Sequence, residues 1–181
     1  MRRGDFVDGT AVLEADGRSD DELSPARLAA ANIHPDTRLA TDYLNHFNEV
    51  VMLIDMLPMM PDCATDVVAW QPRSYVDHFR LSHFKERDLA IRAYQAVAPD
   101  RRAAFEATVA EVERALGDVQ QMIVHAPLDA APIQAVQDLT EMRVKPLLSH
   151  AMGLINGAPV AAAVYEDESA DTQSAIDALF E

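Results

Sequence analysis

Six histidines, one cysteine and 30 acidic side chains are the groups in this 181-residue chain whose types could do chemistry. The histidines raise metal binding first. His46-Phe47-Asn48-Glu49 and His83-Phe84-Lys85-Glu86 repeat an H-F-x-E pattern, and a histidine with a glutamate three residues on can reach one ion inside a helical bundle. The helical frame argues against that use. Phe47 and Phe84 take the core-facing positions, which sets each histidine on the flank of the apolar stripe and each glutamate further round toward solvent. No metal ligand is therefore assigned. Cys63, between prolines and with no motif around it, reads as a small buried hydrophobe rather than a nucleophile. Met52, Met56, Met59 and Met60 read as adaptable core filling, and no glycine-rich phosphate loop occurs.

The last third of the chain is more informative. Gln137-Asp138-Leu139-Thr140 lies on a long helical pattern, with Gln134 one turn earlier, and the chain ends in Thr172-Gln173-Ser174-Ala175-Ile176-Asp177-Ala178-Leu179-Phe180-Glu181. In this order the two segments resemble those of the CheZ family of chemotaxis phosphatases, which carry Q-D-L-T-G-Q on the active helix of a long four-helix bundle. Members end in S-Q-x-x-V-D-x-L-L, a segment that docks on the response regulator CheY. Gln173, Ile176, Asp177, Leu179 and Phe180 keep the spacing of that tail. The tail is also similar to the regulator-binding segment of the flagellar switch protein FliM.

The resemblance implies hydrolysis of a phosphoryl-aspartate on a CheY-type regulator, for which a water must be held in line with the leaving carboxylate. Asp138 matches the family's aspartate, which meets a lysine of the regulator. Met142 stands where the family's water-positioning glutamine belongs, and a thioether cannot orient water as an amide does. Glu141 would set negative charge beside the phosphoryl group. Gln134 and Gln137 supply amides on nearby turns, although neither stands four residues after Asp138 as the family's glutamine does. Either the chain binds the regulator without dephosphorylating it, or catalysis uses one of these other amides. The resemblance implies no cofactor of the chain's own, since Mg2+ would be held by the partner regulator.

The elements that must position these residues are helices. Residues 1–34 combine Gly4, Gly9, Gly17 and scattered aspartates with few bulky apolar groups, which predicts a flexible arm with at most a short helix near Pro25–Ala31. Tyr43, Phe47, Val50, Ile54 and Leu57 share one stripe of a first long helix, capped by Asp36 or Thr37 and stopped at Pro58. Three prolines make residues 58–73 irregular, with Trp70 as a loop anchor. A second helix begins near Ser74, carries Phe84, Ile91 and Tyr94, and ends before Pro99. Pro99 opens a third, whose stripe is Phe105, Val109, Val112, Leu116, Val119 and Ile123. A fourth runs from about 131 to 155, kinked by Pro146 near the carbonyl of Met142 and closed by Asn156-Gly157.

These elements predict an all-α fold: a helical hairpin or four-helix bundle over 35–157, completed as a homodimer. A linker over 158–170 then leads to a partner-docking helix over 171–181, whose 11 residues are fewer than the 12–15 at which an isolated helix holds in water. The net charge of −15 opposes binding to nucleic acid or anionic lipid. A single cysteine fits a reducing cytoplasm, and no stretch of about 18 apolar residues suggests membrane insertion.

Overall fold

The structure, a computed structural model, describes residues 23–125 and 130–160. Among the described residues every regular element is a helix, beside one isolated bridge between Ile33 and Ala40. The expected all-α class is thus observed. The helices are α1 (Pro25–Ala30), α2 (Asn45–Met56), α3 (Ala64–Ala69), α4 (Tyr75–Leu81), α5 (Arg87–Gln95), α6 (Pro99–His125), α7 (Ala130–Leu139) and α8 (Lys145–Ile155). A π-helical segment, Thr140–Val144, joins α7 to α8 without a break.

α6 and the continuous run from α7 to α8 form a long antiparallel hairpin. Arg101 near the start of α6 reaches the Leu154 carbonyl near the end of α8, and Asp118 further along pairs with Arg143 before it. The apolar stripe predicted for α6 supplies buried Phe105, Val109, Val112, Leu116, Val119 and Ile123. Val136, Val144, Leu148, Ala151 and Leu154 are buried on the returning helical arm of the hairpin. Burial of such side chains contributes about 1.5–3 kcal/mol each relative to exposure. α2 packs across the hairpin through Phe47, Val50 and Ile54, and α3 is tied to α6 by the Gln120 amide, which donates to the carbonyls of Val67, Val68 and Trp70.

Several boundaries differ from those the sequence predicts. Residues 25–33, expected in the arm, belong to the body: Leu28 and Ile33 are each 1 % exposed, and Asn32 and Arg38 adopt positive φ of 56° and 61° to fold this stretch back on the core. The first long helix starts at Thr41 as a 3-10 turn, not at Asp36. The amides of Asp36 and Thr37 bond to the His34 ring instead, and the Thr37 hydroxyl donates to the Ile155 carbonyl at 2.6 Å.

The proline-rich stretch contains α3, because Pro61 opens a turn and Pro72 lies beyond the helix end, leaving 64–69 free to coil. The predicted second helix is two. The Ser82 hydroxyl donates to the Phe79 carbonyl and accepts from the Phe84 amide, a local alternative to the helical ladder that separates α4 from α5. Ser74 caps α4 as its position suggests, accepting from the Asp77 amide. Met52, Met59 and Met60 are exposed rather than core, and only Met56 packs against the interior. Cys63 is buried.

The closure of α8 is as expected. Gly157 takes φ 90°, and the Ala158 amide returns to the Gly153 carbonyl at 2.8 Å. No described helix is long and apolar enough to cross a membrane. Residues 1–22 of the expected arm, most of the expected linker and the whole docking segment lie outside the described residues.

Candidate functional site

Asp138 lies on the outer face of α7, two residues before the π segment. Its carboxylate is exposed, and Oδ1 accepts a hydrogen bond from the Gln134 amide at 2.8 Å. The structure therefore brings together two of the three candidate catalytic residues, since a four-residue step places both on one helical face. Gln137 is half-buried on the same helix. The Gln134 amide is engaged in holding Asp138, so its nitrogen is already committed in this arrangement.

Further along the same surface Met142 is 74 % exposed. Its thioether offers no donor and only a weak acceptor. Around it, Lys145 bridges Glu141 on its own run of helix and Asp55 at the end of α2, the latter at 3.2 Å. These partners raise the Lys145 pKa, Glu141 first and Asp55 second. Arg143 pairs with Asp118 at 2.9 Å. The face thus presents a carboxylate, an amide and a methionine, flanked by exposed ion pairs that are worth little individually.

The π segment alters the register of this face. The Lys145 amide bonds to the Thr140 carbonyl, a five-residue step, and Pro146 is the second residue of the resumed α-helix. Wider turns between Thr140 and Val144 displace residue 142 from the direction a plain α-helix would give it relative to Asp138. Pro146, expected to kink the helix near Met142, instead follows this five-residue bonding as the second residue of α8.

The histidine reading changes more. His46 is not on the flank; it is 4 % exposed, packed among Tyr43, Phe47 and Trp70. Its neighbour is His78, not His83, with ring centroids 5.1 Å apart. His83 and Glu49 are exposed and Glu86 is half-buried. Sequence reasoning missed His78, yet a signal was present: His78-Phe79 is a third H-F pair, and its helix delivers the imidazole to His46 while Phe79 enters the core. No group of three or more His, Cys, Asp or Glu is placed to hold a metal among the described residues.

Fold and site together define an all-α protein built on a long helical hairpin with an acidic, amide-bearing outer face. No protein-family model, curated protein or solved structure matches the chain.

Proposed function

We propose that this chain is a CheZ-like chemotaxis protein that captures a phosphorylated CheY-type response regulator. The observation that carries the reading is the spacing of Gln173, Ile176, Asp177, Leu179 and Phe180 after a Q-D-L-T sequence. An exposed Asp138 on a long helical hairpin supports it, because a regulator's lysine could reach that carboxylate from solvent. Capture is favoured over hydrolysis. Residue 142 carries no amide, and the Gln134 amide is bonded to Asp138 rather than aimed at an incoming water.

Tethering the regulator through the terminal segment would raise its local concentration at Asp138, so a weak terminal contact suffices. Homodimer formation in the cytoplasm belongs to the same proposal, and sedimentation at micromolar protein would give twice the chain mass of 19.9 kDa.

The test is a titration of a CheY-type regulator, unphosphorylated and as a phosphoryl mimic, against the full chain and a version ending at Ser169. Binding should prefer the mimic and disappear with the truncation, while the melting temperature stays unchanged. Equal or absent binding by both chains, with a lower melting temperature for the shorter one, would return the tail to internal packing and make the protein a noncatalytic helical adaptor.

A further inference from the structure

A cleft of about 220 Å³ opens between the start of α4, the end of α5 and the first half of α6, and the regulator reading makes no use of it. Its walls are aromatic. Tyr75 and Tyr94 stack with ring centroids 4.2 Å apart and planes inclined by 13°, and Phe105 stands edge-on to Tyr75 at 82°. Tyr43 adds a fourth, buried ring and Val109 an aliphatic surface. Drug-sized ligands occupy roughly 300–1,000 Å³, so this cleft is sized for a smaller molecule.

The polar groups of the lining set the charge of what it can take. The Ser74 hydroxyl donates to the Asp77 carboxylate and the Tyr43 hydroxyl to the Arg73 carbonyl. The Tyr94 hydroxyl donates to Glu106 at 2.6 Å, and the Tyr75 oxygen accepts from the Ala40 amide at 2.9 Å. No lining residue is basic. The Glu113 carboxylate alone is left over, half-buried and without a hydrogen bond or ion pair among the described residues. Burial raises its carboxyl, with no cation near enough to offset the lost water. Its charge also reaches Tyr43, whose phenol is raised first by burial and next by Glu113.

A carboxylate stripped of water without a partner is costly, and a cation that brings its own apolar body would relieve that cost while filling the space between the rings. Aromatic rings accept such a neighbour. The Arg102 guanidinium already rests 5.9 Å from the Tyr94 centroid, but it is turned to the carbonyls of Gln95 and Val97 and does not neutralise Glu113.

We propose that this cleft binds a small organic ammonium ion, a protonated primary amine on an apolar body, with the ammonium on Glu113 and the body against Tyr94, Phe105 and Val109. The three N–H groups of a primary ammonium match a lining that presents acceptors. Charge-assisted bonds to the carboxylate then supply the selectivity over neutral molecules of the same shape.

The full chain, labelled with carbon-13, is titrated with phenethylamine at pH 7 while the ring resonances of Tyr94 and Phe105 and the methyls of Val109 are followed. They should shift together and saturate with a Kd on the order of 1 mM or tighter, as suits a probe of this size. Glu113→Gln keeps the shape, removes a desolvated charge and so should fold at least as well as the parent, yet bind the amine about tenfold more weakly. Glu111→Gln removes the same charge from an exposed position two residues earlier, on another face of α6, and should leave the affinity unchanged. Phenylethanol, matched in shape but neutral, should bind about tenfold more weakly than the amine. Equal affinity in parent and Glu113→Gln, or equal binding of the alcohol, would overturn the site. Shifts that never saturate, or an equal loss in Glu111→Gln, would also overturn it and reduce the effect to general attraction by an acidic chain.

Discussion

His46 titrates far from its ordinary range because burial penalises the charged ring; the Tyr43 carbonyl pulls the other way, and His78 and Arg73 add to the lowering. For His78, burial leads, Arg73 adds to it, and Asp42 and Glu49 oppose. In the unfolded chain each ring takes its proton near pH 6.5, whereas folded His46 does so at about 4. Between these values the unfolded state binds more protons, so stability rises with pH, by at most about 1.4 kcal/mol per pH unit for one linked group. The contribution is complete above pH 6.5 and lost as pH falls toward 4. Glu113 runs oppositely: half-buried, with its pKa raised by desolvation, it costs stability once the unfolded carboxylate ionises. Glu113→Gln should therefore melt higher than the parent at pH 7, with the gain shrinking as pH falls through the carboxylate range. His78→Gln should flatten the loss as pH falls below the ordinary histidine range. Melting curves across pH 4–8 check both, and an unaltered acid limb in His78→Gln would show that this pair is not linked to folding. Helical spacing made the Gln134–Asp138 pairing legible in the sequence, since a four-residue step sets one face. The partner of His46 was not, because pairing across α2 and α4 depends on where the chain turns between them, which no local pattern encodes.

The passage from α7 into α8 shows how an element accommodates a residue that should break it. Pro146 has no amide to donate and its ring would crowd the carbonyl four residues back. Five-residue bonding just upstream, with Lys145 reaching Thr140, lets the helix resume with the proline in its first turn. Thr140 is fully buried there and its hydroxyl donates to the Val136 carbonyl at 2.8 Å. Thr140→Val should cost about 1 kcal/mol, the net worth of one such bond, and lower the melting temperature by roughly 2–4 °C. No loss would mean that the hydroxyl only fills space. The same widened turns carry Met142 away from the α-helical four-residue relation to Asp138. Met142→Gln is therefore expected to leave the dephosphorylation rate of a bound regulator unchanged, and a severalfold increase would restore the catalytic reading. The length of α6 was readable because its stripe runs unbroken between two prolines. The break at residues 82–86 was not, because Ser82 diverts backbone bonds through its side chain while Phe84 keeps the helical spacing and still packs against Phe79. α1 was underestimated for a related reason. Its anchoring comes from Leu28 and Ile33 entering a core built by distant helices, and composition alone weighs a segment by its own few apolar residues.

At the scale of the whole molecule, three distant parts of the chain converge where α8 ends. The Thr37 hydroxyl takes the Ile155 carbonyl, Arg101 takes the carbonyls of Leu154 and Ala158 at 2.9 and 3.0 Å, and Val160 packs against the core. Cations at a helix C-terminus also complement its dipole. The point from which the chain continues toward residue 181 is thus fixed to the body, so the proposed tether has a defined origin. From Asp138 to Ile155 there are 17 residues of helix, or about 25 Å at 1.5 Å per residue. The 13 residues from Val160 to Gln173 can extend to roughly 43 Å at about 3.3 Å each, enough to return alongside the hairpin to the Asp138 face. Deleting residues 161–170 leaves three, which reach about 10 Å. A regulator held by the shortened tail could then no longer lie over Asp138, and the gain from tethering would vanish because the linker cannot span the two contacts. The deletion should weaken binding of a phosphoryl-mimic regulator to the level of an isolated 171–181 peptide, and Asp138→Ala, which weakens binding to the full chain, should have no further effect in the shortened one. Full affinity in the deletion would mean that the tail alone carries recognition and that the hairpin face takes no part.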